Sequence, residues 1–213
     1  MAAAVSLVPT PLGDARVHAT AADDPVATLV LGHGAGGGVG TPDLAALASR
    51  LPPLGVDVLL VDQPWVVAGR KVAAPPPTLD RGWLGVLAAL GVQGPLLVGG
   101  RSAGARVACR TAETVGAAGV LALAFPLHPP AGRPTRLPEL DLPADAGIPV
   151  LVLQGTRDSF GGPADLPAAP GRVVVPVAGA DHSFRVLKGG DRAAVLTQLV
   201  DAAAAWALTV CAP

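Results

Sequence analysis

Two cysteines, Cys109 and Cys211, are all that the 213-residue chain contains. That number excludes a disulfide framework, and the two have no metal-ligand spacing. Both read as small core fillers. Charge is equally sparse: charged residues make up 15% of the chain, with 15 Lys and Arg against 16 Asp and Glu and a formal net charge of -1. No basic run or stripe is present that could neutralise a row of phosphates, so nucleic acid is not an expected partner. Long apolar runs are missing as well. Gly, Pro or a charge interrupts each run before the ~20 residues that cross a bilayer, so no membrane span is expected. The opening MAAAVSLVPTPLGDAR lacks a basic n-region and meets Pro9 before an apolar h-region is complete, which leads to the expectation of a mature, cytoplasmic chain. No internal repeat is visible.

Apolar residues, by contrast, make up 51% of the chain, too many for a disordered polymer. Size scaling gives a folded surface of roughly 9,000 Å² against roughly 30,000 Å² for the extended chain, so about 70% is buried. A full core needs no staples, and a single domain over residues 1–213 is expected. Short Val- and Leu-rich runs ending in turn residues predict buried parallel strands at Thr28–Gly32, Val56–Val61, Pro95–Gly99 and Pro149–Gln154, with two more at Ala118–Phe125 and Arg172–Val177. Helical stretches fall between and after them: Pro42–Arg50 behind the cap residue Thr41, Thr78–Leu90, Ala103–Val115 and Asp191–Leu208. This alternation specifies an α/β fold, a mostly parallel sheet with helices on both faces. Val5–Val8 and Ala15–Thr20 add an antiparallel edge hairpin. Pro126–Gly147 holds six prolines in 22 residues and is expected to be a loop. Trp65–Pro77, rich in Pro and Gly, is expected to be a second one.

Two glycine motifs compete for the site. Gly32-His33-Gly34-Ala35-Gly36-Gly37 satisfies GxGxxG after a strand, and Asp62 ends the next strand as a ribose-binding acid would. In a chain with 27 glycines, chance supplies about 0.4 such matches. Gly100-Arg101-Ser102-Ala103-Gly104 satisfies GxSxG; with five serines in the chain, chance supplies about 0.08. It also joins a strand directly to a helix, the context that a nucleophile elbow requires. A serine hydroxyl needs a histidine to take its proton and an acid to orient that histidine, in the chain order Ser, acid, His. Asp158 and His182 satisfy the order after Ser102, each at the end of a strand. Asp165 and Asp181 are the alternative acids, while His18 and His128 lie away from the last strand's end. The glycine loop after the first parallel strand then offers one backbone N–H of an oxyanion hole, at Ala35, and the residue after the nucleophile offers the other, at Ala103. His33 is expected to fix that loop. The histidines are dispersed, so no metal site is expected.

These blocks, HGAGGG at 33–38, VDQPWVVAGRK at 61–71, VGGRSAGAR at 98–106, FPLHPPAGRP at 125–134, LVLQGTRDSFG at 151–161 and ADHSFRV at 180–186, resemble the α/β-hydrolase superfamily. More narrowly, they resemble the small bacterial family labelled dienelactone-hydrolase-like, which is also similar to a subunit of an animal histone-acetyltransferase complex. The resemblance spans nearly the whole chain. It implies a hydrolase fold with Ser102, Asp158 and His182 as the triad, and names no substrate. One departure bears on activity: true dienelactone hydrolases use a cysteine nucleophile, and the elbow here carries Ser102.

The resulting expectation is a capless serine hydrolase that cleaves a carboxylic ester or related acyl bond of a small molecule, without cofactor or metal. Trp65, Arg70, Phe160 and Phe184 are expected at the substrate rim, and Arg70, Lys71 and Arg101 would make that rim positive. No oligomeric state follows. Two rival readings stand beside it: an interaction scaffold with a hydrolase fold, and a dinucleotide-binding oxidoreductase built on GxGxxG.

Overall fold

A computed structural model describes residues 4–130 and 133–212. Residues 1–3 of the opening segment, residues 131 and 132 of the FPLHPPAGRP block, and residue 213 lie outside the described part. Eight strands form one sheet: β1 (Ala4–Val8), β2 (Ala15–Thr20), β3 (Ala27–Gly32), β4 (Val56–Asp62), β5 (Leu96–Arg101), β6 (Gly119–Leu123), β7 (Val150–Gly155) and β8 (Arg172–Val177). Their spatial order is β1-β2-β4-β3-β5-β6-β7-β8. The expected edge hairpin is present, with β2 antiparallel to both β1 and β4, and the remaining pairs are parallel.

Every residue of β3, β6 and β7 is buried, because helices cover both faces and a strand so covered is built mostly of apolar residues. Alternate residues feed two cores. Leu29 and Leu31 of β3 face one cluster with α1 (Pro42–Arg50) and α6 (Arg192–Val210). Val30, between them, faces the other with α3 (Pro76–Leu90) and α4 (Ala103–Thr111). Cys109 is buried in the second cluster, and Cys211, after α6, packs on the first. Among the described residues one helix, α6, is long and apolar enough to cross a membrane by length and composition. In the fold it lays Val195, Leu199, Val200, Ala203 and Ala207 on the sheet.

The proline-rich connection departs from expectation. It contains a helix, α5 (Leu137–Asp145), where a loop was expected. Pro138 lies in the first turn, where no intrahelical donor is needed, and Pro143 in the last, so the remaining turns close around both. Glu139 of α5 also accepts from Arg106 and Arg110 of α4, at 2.6 to 2.7 Å, which holds the helix against its neighbour. The stretch after β4 likewise opens with a single helical turn, α2 (Pro64–Val67). Helix α4 stops at Thr111, four residues short of the expected Val115. Thr41 sits at the start of α1 in extended backbone, but its hydroxyl makes no capping bond.

Strands β3 and β5 are neighbours in register, Gly32 opposite Gly100. The chain leaves β3 towards α1 on one face and β5 towards α4 on the other. Such a divergence opens a crevice at the carboxyl ends of the strands, where open α/β sheets place their ligands. Both glycine motifs end there, side by side.

Candidate active site

The turn from β5 into α4 is built by the absence of side chains. A Cβ on Gly100 would lie 2.5 Å from the Gly32 carbonyl oxygen, and one on Gly104 would lie 2.5 Å from the same atom. Only glycine at both positions lets α4 approach β3 this closely. The crowded turn drives Ser102 to φ 53 and ψ -107, a conformation that non-glycine residues rarely adopt. Its N–H donates to the Leu123 carbonyl at 2.9 Å, pinning the residue to β6. The GxSxG segment is thus a strained elbow that projects Ser102 at the sheet edge.

Two further strand ends supply its partners. His182, in the turn after β8, has Nε2 3.0 Å from Ser102 Oγ and Nδ1 2.8 Å from Asp158 Oδ2. Asp158, beyond β7, is buried, and its other oxygen accepts from the Phe160 N–H at 2.8 Å. A proton on Nδ1 leaves the Nε2 lone pair facing the serine hydroxyl. The alternative acids serve their own turns. Asp165 accepts from Gly162, and Asp181 accepts from Ser183 and Arg185. Burial is the largest single influence on the Asp181 carboxyl and raises it, but the two backbone bonds and Arg185 and Arg157 together outweigh it and hold the carboxyl below its ordinary range. His18 pairs with Asp62 at 3.1 Å, far along the sheet edge in β2.

Ala35 and Ala103 line one narrow cleft of about 10 Å³. That is roughly the space of a single water-sized oxygen. Among the described residues, neither backbone N–H has a hydrogen-bond acceptor. His33 holds the loop that carries Ala35: its Nδ1 donates to the Gly34 carbonyl at 2.8 Å, and its Nε2 accepts from the Gln63 N–H at 3.2 Å. Burial lowers the His33 pKa, against weaker raising effects of the Gly34 bond and Asp62, which favours the neutral ring that this pattern needs.

The GxGxxG segment therefore packs against the elbow, Gly32 on Gly104. Asp62, assigned to a ribose in the rival reading, is occupied by the Val39 N–H at 2.9 Å and by His18. Three of the four rim residues need correction or refinement. Phe184 is 1% exposed and belongs to the core beneath α6. Trp65 is buried; its ring stands edge-on to His33 at 5.3 Å and lines the Ala35–Ala103 cleft from inside. Arg70 and Lys71 are exposed on the loop after α2, and neither lines the clefts beside Ser102. Phe160 is half-buried against the His182 imidazole, with ring centroids 4.5 Å apart.

One residue of the constellation was missed in the sequence. Gln154, fully buried at the end of β7, donates from Nε2 to Asp158 Oδ2 at 3.0 Å and to the Gly161 carbonyl at 2.7 Å, and its Oε1 accepts from the Phe125 N–H at 2.9 Å. A polar residue interrupting the buried run Val150–Leu153 was the only hint.

Similar folds are known. A lidless α/β serine hydrolase from Xanthomonas campestris superposes with a TM-score of 0.74 at 17% identity, over 97% of this chain and 95% of its own. An esterase domain from a Rhodothermus marinus protein gives 0.73 at 16% identity, over 97% and 98%. A dienelactone hydrolase from Anabaena variabilis gives 0.71 at 16%, over 97% of both chains. No curated protein sequence matches significantly. At these identities the likeness concerns the fold, an eight-stranded sheet without a separate cap domain. A model of the alpha/beta hydrolase domain family matches residues 25–208, and the chain belongs to that family.

Proposed function

We propose that the protein is a serine hydrolase that cleaves a carboxylic ester or related acyl bond of a small molecule through Ser102, His182 and Asp158. The observation that carries this reading is the continuous contact from Ser102 Oγ through the His182 ring to the buried Asp158 carboxylate. Ser102 Oγ attacks the substrate carbonyl as its proton passes to His182 Nε2, and Asp158 stabilises the imidazolium that results. The negative charge that develops on the carbonyl oxygen meets the free N–H groups of Ala35 and Ala103; losing one such donor costs roughly 3 to 4 kcal/mol of transition-state stabilisation. Collapse breaks the ester C–O bond, the leaving alcohol takes the proton from His182, and Ser102 is left acylated. Water, deprotonated by His182, then releases the carboxylic acid and restores the hydroxyl.

A fluorophosphonate probe tests this directly. It is expected to label Ser102 and no other serine of the folded protein, with Ser102→Ala abolishing both labelling and p-nitrophenyl ester turnover. A folded wild-type protein that resists the probe and hydrolyses no ester would overturn the reading in favour of a scaffold role.

A further inference from the structure

The three reacting side chains come from three separate strand ends, and one side chain outside the triad links two of them, the end of β5 and the turn after β8. Arg101, immediately before Ser102, donates from Nη2 to the main-chain carbonyl of His182 at 2.9 Å and to Ser183 Oγ at 2.9 Å. Its Nε faces Asp43 Oδ2 in the first turn of α1 at 3.5 Å. Its Nη1 lies over the oxyanion loop, where a Cβ on Gly34 would come within 3.1 Å of it. The Arg101 side chain is 13% exposed and that of Asp43 is 2% exposed. One guanidinium therefore spans the oxyanion loop, the start of α1 and the His182 turn, while its own backbone leads into the nucleophile.

From this geometry we propose that Arg101 is the positioning residue of the active site, holding the His182 imidazole in reach of Ser102 by anchoring the main chain of His182 itself. The proposal rests on the serine-hydrolase reading. The turn that carries His182 is braced on one side by Asp181, through the Ser183 and Arg185 N–H groups, and its ring is braced by Asp158. On the side facing Ser102, the main chain is held through Arg101. A buried ion pair of this kind contributes little net stability, because desolvation offsets attraction. Its expected effect is on position. Nη2 of Arg101 is committed to the His182 and Ser183 oxygens, while its Nε meets Asp43 at ion-pair distance without a hydrogen bond. Lysine cannot do the same work, since one ammonium does not span Asp43 and the His182 turn at once.

In Arg101→Ala, kcat for p-nitrophenyl acetate is expected to fall about 100-fold, the cost of a misplacement near 1 Å, with KM little changed. Fluorophosphonate labelling of Ser102 should slow by the same factor. Thermal unfolding of the same samples separates this effect from lost fold. Added guanidinium is expected to restore part of the rate, and Arg101→Lys should fall between Ala and wild type. Asp43→Asn should lower kcat less, and the combined variant should be non-additive, as for residues sharing one partner. Unchanged kcat in folded Arg101→Ala, or a loss confined to KM for anionic esters, would overturn the proposal. Should Arg101→Ala fail to fold, Arg101→Lys carries the same comparison. An inert wild type would defeat the hydrolase reading by itself. The tie is then judged by the His182 ring resonances in nitrogen NMR: altered in the Arg101 variant they support it, and unaltered they refute it.

Discussion

Gln154 Nε2 and His182 Nδ1 converge on one oxygen of Asp158, at 3.0 and 2.8 Å. The carboxylate is thereby fixed from behind by a neutral donor that is itself anchored on Phe125 and Gly161. Gln154→Leu removes that donor and strands the buried Phe125 N–H. A hydrogen bond to a charged group contributes roughly 1.5 to 3 kcal/mol, so kcat should fall about 10- to 100-fold and stability should drop by a few kcal/mol. Steady-state kinetics and urea unfolding of the variant measure both effects.

Asp158→Asn should keep the fold and lose the reaction. The amide can offer an N–H where Nδ1 needs an acceptor, which favours the tautomer with its proton on Nε2, pointing at Ser102. A fall in kcat on the order of 10⁴ is expected at neutral pH, with little change in KM.

Aromatic residues near the triad divide by burial. Phe184→Ala opens a cavity beneath α6 and should cost about 3 to 5 kcal/mol in unfolding free energy, while KM of the folded protein stays the same. Phe160→Ala, on the half-buried ring over His182, should instead raise KM for esters with bulky acyl groups and cost less stability. Equal stability losses in the two would contradict the division.

The buried His33 makes stability depend on pH. Its folded pKa lies below the unfolded value of about 6.5, so the unfolded chain binds a proton that the native ring refuses. Its contribution is fully present above pH ~6.5 and is lost as pH falls from there towards the lower folded pKa. His33→Gln, whose amide can replace one of the two ring contacts, should lack that component. Unfolding midpoints of both proteins between pH 5 and pH 8 measure the difference.

Gly104→Ala puts a methyl into the Gly32 carbonyl. The elbow must then open, and folded protein that remains should show neither labelling nor turnover. The alanine variant of Gly40, where a Cβ meets nothing within 4 Å, is the control.

Much of this was legible because each signal was local. The strands announced themselves as short Val- and Leu-rich runs, and Ser102 by glycines that must sit two residues to either side of it. Asp158 and His182 followed from chain order. What stayed hidden depends on distant partners. Gln154 is explained by Phe125 and Gly161, residues brought together only when β6 and β7 pair. Helix α5 forms in a proline-rich stretch because Arg106 and Arg110 of α4 capture Glu139. Phe184, two residues from His182, looked like a rim aromatic, yet its backbone at φ 50 belongs to a tight turn closed onto Asp181, and its ring joins the core. Arg101 looked like a free cation until Asp43 and the His182 carbonyl met it.

The two thiols lie on opposite sides of the sheet. Cys109 sits with α4, its thiol pushed up to about 12 by burial, and Cys211 packs against the cluster of α1 and α6. The sheet stands between them, so no oxidant can join them within one folded chain. Maturation should then proceed alike in reducing and oxidising surroundings, and dithiothreitol in an assay should leave both the melting temperature and the rate untouched.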